Sequence, residues 1–237
     1  MKKHIPNTIT CCNLISGSIA TYWAFQGEFG MALLFIVIGA IFDFFDGMSA
    51  RLLGVSSPIG KELDSLADCI TFGFAPSAIL FCYLTTLDFQ FSFYPSHLPP
   101  IASYLAFIMA AFSALRLAKF NLDERQALGF IGLPTPANAL FWGALVVGSG
   151  EWIAQQPYAP YMVLVGIFIS CYLLVAEIPM FALKFKHWGW KDNEIKYIFL
   201  LTCIPLLVIL GISGLAAIIA WYILLSIATN RHSTQTN

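Results

Sequence analysis

Residues 42–68 read FDFFDGMSARLLGVSSPIGKELDSLAD, and the placement of the acids in this stretch decides how the chain is read. Asp43, Asp46, Asp64 and Asp68 sit in a chain of which only 11% is charged. They recur at helical intervals on two segments joined by a short link. At about 100° per residue, Asp43, Asp46, Gly47 and Ala50 fall on one stripe, within about 60° of Asp43. Asp64 and Asp68 share a face of the next segment, with Gly60 one turn before them. Carboxylates converging across such a helix pair repel one another unless cations lie between them. Oxygen-only ligands select hard ions, Mg²⁺ or Mn²⁺, and such ions keep open positions for substrate phosphates. The stretch therefore reads as a site for two metal ions and phosphoryl transfer. Helix-capping aspartates explain isolated acids, but not four of them with glycines at set turns.

The rest of the chain says where this site is housed. Of 237 residues 59% are hydrophobic, and the mean hydropathy is +0.78. A soluble domain carries about 25% charged residues, so this chain cannot cover a water-facing surface. The expectation is an all-α, polytopic transmembrane helical bundle forming a single domain over 1–237. Apolar runs place eight spans at 8–25, 29–47, 63–86, 101–121, 134–150, 160–183, 196–210 and 213–229. A six-span arrangement is the alternative. The tight link Gly211-Ile212-Ser213-Gly214 makes the last two spans a helical hairpin. A short disordered tail is expected from about 230, and the first span, with Asn13, Ser16, Gly17 and Ser18, reads as a retained helix rather than a cleaved leader.

The basic residues orient the layout. Lys2, Lys3, Arg51, Lys61, Arg116, Lys119, Arg125, Lys184, Lys186, Lys191, Lys196 and Arg231 all fall on one side of an eight-span chain. By the positive-inside rule that side, with both termini and the acidic stretch, faces the cytoplasm. The expected location is the cell membrane, with membrane lipids as surroundings and no nucleic-acid partner. Cys11, Cys12, Cys69, Cys82, Cys171 and Cys203 lack metal-ligand spacing and read as packing residues. His4, His97, His187 and His232 carry no paired metal spacing.

The pattern D-x₂-D-G-x₂-A-R-x₈-G-x₃-D-x₃-D resembles that of the CDP-alcohol phosphatidyltransferases at every fixed position. In chemical terms Asp43, Asp46 and Asp64 are candidates for the metal shell, with Asp68 touching it or adjacent. The resemblance implies that Asp68 is also the general base on an incoming alcohol, and that CDP-diacylglycerol is the donor. Gly47 and Ala50 lack bulk, so a nucleotide can approach the backbone between the acids; small-residue helix packing is the plainer use of such residues. Arg51 offers a planar cation to phosphate or to the acids, its alternative being a snorkelling interfacial residue. Gly60 lets the third span lie close to the metal site. Lys61 and Glu62 read as solvated interface charges. The segment Ile5-Pro6-Asn7-Thr8-Ile9-Thr10 reads as a helix start, and resembles the family's P-N-x-x-T opening, which borders the nucleotide pocket through Asn7 and Thr10. The resemblance further implies a homodimer.

Two later runs narrow the acceptor. Ala114-Leu-Arg116-Leu-Ala-Lys119-Phe-Asn121 and Gly132-Leu-Pro134-Thr-Pro136-Ala137 resemble membrane-bound phosphatidylserine synthases of this family. Lys119 stands where those members have Arg, and Ala137-Asn138 where they have Ala-Ala. L-serine is the acceptor this implies, with phosphatidylserine and CMP as products. A zwitterionic acceptor needs a cation for its carboxylate, and Arg116 is the candidate; an interfacial anchor is the alternative. Glu177, placed within the sixth span, is a candidate for the ammonium or for a helix–helix contact. The nearest rival is the same family with glycerol 3-phosphate or inositol as acceptor. Membrane prenyltransferases keep their two acidic motifs far apart, whereas 17 residues separate Asp46 from Asp64 here. A cation transporter would hold its acids near the bilayer midplane, not at span ends.

Overall fold

The computed structural model describes residues 4–55, 57–89, 100–123, 130–180, 189 and 193–234, without the side chains of Phe130 and of 230–234. Among the described residues eight helices follow one another: α1 (His4–Phe25), α2 (Phe29–Leu53), α3 (Pro58–Thr86), α4 (Ile101–Leu122), α5 (Thr135–Ala154), α6 (Ala159–Val175), α7 (Glu194–Leu210) and α8 (Ser213–Thr234). They correspond one for one to the eight apolar segments. Helices α2, α3 and α4 are long and apolar enough to cross a membrane, and α6 and α8 are shorter apolar helices.

Local chemistry sets the helix ends that matter for the acids. Helix α2 stops at a left-handed Gly54 (φ 61°, ψ 33°), whose N–H returns to the carbonyls of Ala50 and Arg51. Helix α3 starts with Pro58 after Ser57, whose hydroxyl accepts from the Gly60 N–H at 3.0 Å. Both helices therefore run further toward each other than the apolar runs indicated. Arg51 and Lys61, expected between spans, lie inside helix ends because hydrogen-bond capping, not hydropathy, terminates a helix.

Helices α1, α2 and α3 cross at unusually short range. Added Cβ atoms on Gly17 or Gly39 would run into Thr71 of α3, the second at 2.5 Å from its Cγ2. Small-residue contacts of this kind replace the hydrophobic drive that is lacking between helices in lipid. Straight after Asp68, α3 takes a π turn over Cys69–Phe74 before resuming as α-helix. Beyond the crossing, Phe72, Ile79, Leu80, Leu84, Met109 and Ile167 form a fully buried centre between α3, α4 and α6.

One end of the bundle is tied together by polar contacts. The Lys61 ammonium donates to the Asn121 carbonyl at 2.7 Å, and the Asn121 amide donates to the Ser65 hydroxyl at 2.8 Å. The α2–α3 link and the C-terminal end of α4 are therefore at the same end. Helices α7 and α8 form the expected hairpin, turned at Gly211 (φ 56°) and joined by Trp221 Nε1 donating to Thr202 at 3.0 Å. Ser149 and Ser213 hydroxyls, 2.8 Å apart, attach it to α5.

The sixth apolar run, 160–183, is helical only to Val175: Ala176 is already extended (ψ 142°), and Pro179 supplies no N–H and disfavours helix at Ile178. Glu177 consequently lies beyond the helix and is exposed, not inside a span. The segment after it pairs with the α4–α5 link as a two-residue antiparallel ladder, Phe130 opposite Met180 and Ile131 opposite Pro179, where no strand was expected. Lys2, Lys3, Arg125, Lys184, Lys186, Lys191, His97 and His187 lie outside the described residues, as do the side chains of Arg231 and His232.

Candidate functional site

The four aspartates lie within electrostatic reach of one another, and three of them form a closer group. Carboxylate oxygens of Asp43, Asp64 and Asp68 lie within 4.8 Å of one another. Asp46, one turn along α2 from Asp43, is instead held by α1: the Thr10 hydroxyl donates to its Oδ2 at 2.6 Å. Asp68 is likewise held by α1, through Asn13 Nδ2 donating to its Oδ1 at 3.0 Å. Asp46 and Asp68 are only 6% and 8% exposed, so each needs such a donor to offset lost hydration.

The α1 contribution follows from sequence spacing. Asn7, Thr10 and Asn13 are three residues apart, so they step along one side of the helix toward α2 and α3. Their depth increases in the same order: Thr10 is 3% exposed and Asn13 is fully buried.

Beside the acids lies a cleft of about 260 Å³, lined by Pro6, Asn7 and Thr10 of α1, Asp46, Gly47 and Ala50 of α2, and Gly60, Lys61 and Asp64 of α3, with Val55 and Ser57 from the link. Asp64 belongs both to this wall and to the group of three carboxylates. Gly60 is where α3 meets α1: a Cβ there would lie 3.1 Å from Asn7 Oδ1 and 3.0 Å from the Ser57 hydroxyl. Arg51 is exposed and not part of the cleft wall; its guanidinium runs back beside Gly47, 3.8 Å from where a Cβ would stand.

Arg116 of α4 is the cation on the buried side. It is 7% exposed, stacks over Phe120 with 5.2 Å to the ring centroid, and lies within electrostatic reach of Asp68. Its Nε has no hydrogen-bond partner. Helix α4 comes close enough because Gly73 of α3 leaves room for Ser113, 3.0 Å from a would-be Cβ.

The sequence motif thus becomes two adjoining compartments: the carboxylates of Asp43, Asp64 and Asp68 near Arg116, and the cleft carrying Asn7, Thr10, Asp46, Gly47, Ala50 and Gly60. Two residues were not legible as site residues. Asn13 resembles any polar residue in an apolar helix, and only the buried contact with Asp68 reveals it. Lys61 lines the cleft rather than standing apart from it; its position one residue after Gly60 was the available signal.

The carboxylate group passes a test of fit for a hard divalent ion. All three donors are oxygens, the ligand type hard divalent ions prefer, and they lie within 4.8 Å of one another. Without a cation, three carboxylates so close would repel one another strongly.

Comparison with known proteins gives independent findings. A family model described as CDP-alcohol phosphatidyltransferase matches residues 3–172. A Bacillus subtilis (strain 168) protein named CDP-diacylglycerol–serine O-phosphatidyltransferase is 36% identical over 187 residues, 78% of this chain and 92% of its own length. A Helicobacter pylori (strain ATCC 700392 / 26695) protein of the same name is 28% identical over 242 residues, covering 97% and 96%. One from Methanocaldococcus jannaschii is 32% identical over 200 residues, covering 76% and 87%.

Proposed function

This chain belongs to the CDP-alcohol phosphatidyltransferase family, and from that premise we propose that it transfers the phosphatidyl group of CDP-diacylglycerol to L-serine, giving phosphatidylserine and CMP. The observation that carries the reading is the position of Asp64, shared between the close carboxylate group and the wall of the cleft. A diphosphate whose nucleotide occupies the cleft then has its anhydride beside the acids. The names of the relatives support serine as the acceptor, and so does a buried guanidinium with an unpaired Nε near Asp68.

Asp43, Asp64 and Asp68 would hold divalent ions, Mg²⁺ or Mn²⁺, with Asp46 completing the set from the cleft side. When bound, such ions neutralise the diphosphate and stabilise charge on the leaving phosphate. The chain's own residues do the rest. Asn7, Thr10, Gly47, Ala50 and Gly60 hold the nucleotide against the backbone, and Arg51 and Lys61 supply positive charge at its rim. Arg116 pairs with the serine carboxylate and sets the hydroxyl toward Asp68. Asp68 takes the hydroxyl proton as the serine oxygen bonds to the phosphatidyl phosphorus. The anhydride P–O bond breaks, and CMP leaves with the electron pair.

The orientation belongs to the same proposal. The Lys61–Asn121 contact places the α2–α3 link and the end of α4 at one end of the bundle. Arg51, Lys61, Arg116 and Lys119 therefore share that end with the acids. This supports eight spans, a cytoplasm-facing site and a cell-membrane location. The homodimer rests on the family resemblance alone.

The test is CMP release by the purified chain from CDP-diacylglycerol with serine, glycerol 3-phosphate, inositol or water. The reading requires serine to support the fastest release, and only with Mg²⁺ or Mn²⁺ present. Faster release with glycerol 3-phosphate replaces the acceptor and leaves the family intact.

A further inference from the structure

Asn13 stands outside the acidic motif. It is fully buried, with its Nδ2 donating to Asp68 Oδ1 at 3.0 Å, while its own Oδ1 has no hydrogen-bond partner. A buried, unpaired carbonyl is unfavourable, so packing alone would be served better by an apolar side chain. The donor side of the amide is what the site uses, and it is spent on Asp68.

The surroundings fix the amide in place. The Thr71 hydroxyl donates to the Asn13 carbonyl at 3.0 Å, which locks the backbone of α1 to α3 at this level. Gly39 of α2 makes room: a Cβ there would stand 3.0 Å from Asn13 Oδ1. The π turn begins at Cys69, directly after Asp68, and it presents Thr71 to α1 next to the Asp68 contact. Single π turns of this sort accompany functional sites more often than plain helix does.

We propose that Asn13 is a positioning residue for the transfer reaction. It occupies one oxygen of Asp68 and so turns the other toward Asp43, Asp64 and the acceptor hydroxyl. Asn13 touches no reacting atom and acts only through Asp68. The inference rests on the reading of Asp68 as the base, and its test separates the two.

The experiment is a double-mutant cycle on the full chain in detergent: wild type, Asn13→Leu, Asp68→Asn and the double variant, with kcat and KM for CDP-diacylglycerol. Mn²⁺ binding without substrate is measured on each protein by electron paramagnetic resonance. Asn13→Leu, near in volume and lacking the donor, is expected to lower kcat by roughly 10- to 100-fold through misplacement of the carboxylate. Its KM and its Mn²⁺ binding should stay close to wild type. The double variant should match Asp68→Asn within about twofold, because a residue acting only through Asp68 has nothing further to lose. Multiplicative losses in the double variant overturn the role of Asn13 and leave Asp68 as base. Undiminished turnover of Asp68→Asn overturns the reading of Asp68 and the inference with it. Asn13→Ala, which adds no bulk, is the second variant. If both Asn13 variants lose Mn²⁺ binding, Asn13 is part of the frame and the proposal fails.

Discussion

Helices α1–α3 and the α7–α8 hairpin are built from similar proportions of apolar residues and solve opposite problems. In the first three helices the polar side chains turn inward: Thr10, Asn13, Ser16, Asp46, Asp68 and Thr71 are buried, while Ile15, Tyr22, Leu34, Ile41 and Phe44 are exposed. In α7 the only described buried residue is Phe199, and Leu201, Ile204, Val208 and Ile209 face outward. The family match ends at residue 172, before the hairpin begins. Buried polarity in a membrane protein is expensive and is retained where it does chemistry. The hairpin has little of it, so its residues should tolerate change that the other region cannot.

Substitutions should therefore separate the two regions by orders of magnitude. Asp68→Asn is expected to lower kcat by about 10²–10⁴-fold, the usual range for loss of a general base, while CDP-diacylglycerol binding persists. Asp43→Asn should instead weaken metal binding together with turnover, and excess Mn²⁺ should restore part of its activity. Rescue of Asp68→Asn by metal, with none for Asp43→Asn, would exchange the two roles.

Arg116→Ala comes next. Loss of a charge-assisted hydrogen bond costs roughly 1.5–3 kcal/mol, so the KM for serine should rise about 10- to 150-fold against little change for CDP-diacylglycerol. An equal rise for both substrates would make Arg116 an anchor. Gly39→Ala should lower stability: forcing a methyl into Thr71 and against Asn13 costs about 1–3 kcal/mol, seen as a lower melting temperature in detergent. Val208→Ala, on the outer face of the hairpin, should change stability by less than about 0.5 kcal/mol and leave CMP release unchanged. A large effect there would mean that the hairpin does more than enclose the bundle.

Much of this division was written in the sequence, because helical period and turn chemistry are local. The stripe of Asp43, Asp46, Gly47 and Ala50, and the pair Asp64 and Asp68, follow from spacing alone, and each of the eight apolar runs became a helix. What spacing does not carry is which neighbour a side chain meets. A helical wheel puts Asp43 and Asp46 on one stripe, but it does not carry that Asp46 meets Thr10 of α1 or that Asp43 meets Asp64 and Asp68. Asn13 acquires meaning only when the small residues Gly17 and Gly39 let three helices cross. Glu177 was misplaced for a different reason: hydropathy continues past Val175, but Pro179 ends the helix.

If the inward acids of α2 and α3 are a metal-dependent catalytic centre, they bind a divalent ion in the isolated protein. Mn²⁺ binding to the purified chain, followed by electron paramagnetic resonance in wild type and in the Asp43→Asn, Asp64→Asn double variant, tests it most directly. Mn²⁺ should be bound by the wild type, tightened by CDP-diacylglycerol, and largely lost in the double variant although the protein remains folded. Equal Mn²⁺ binding by both proteins would contradict it.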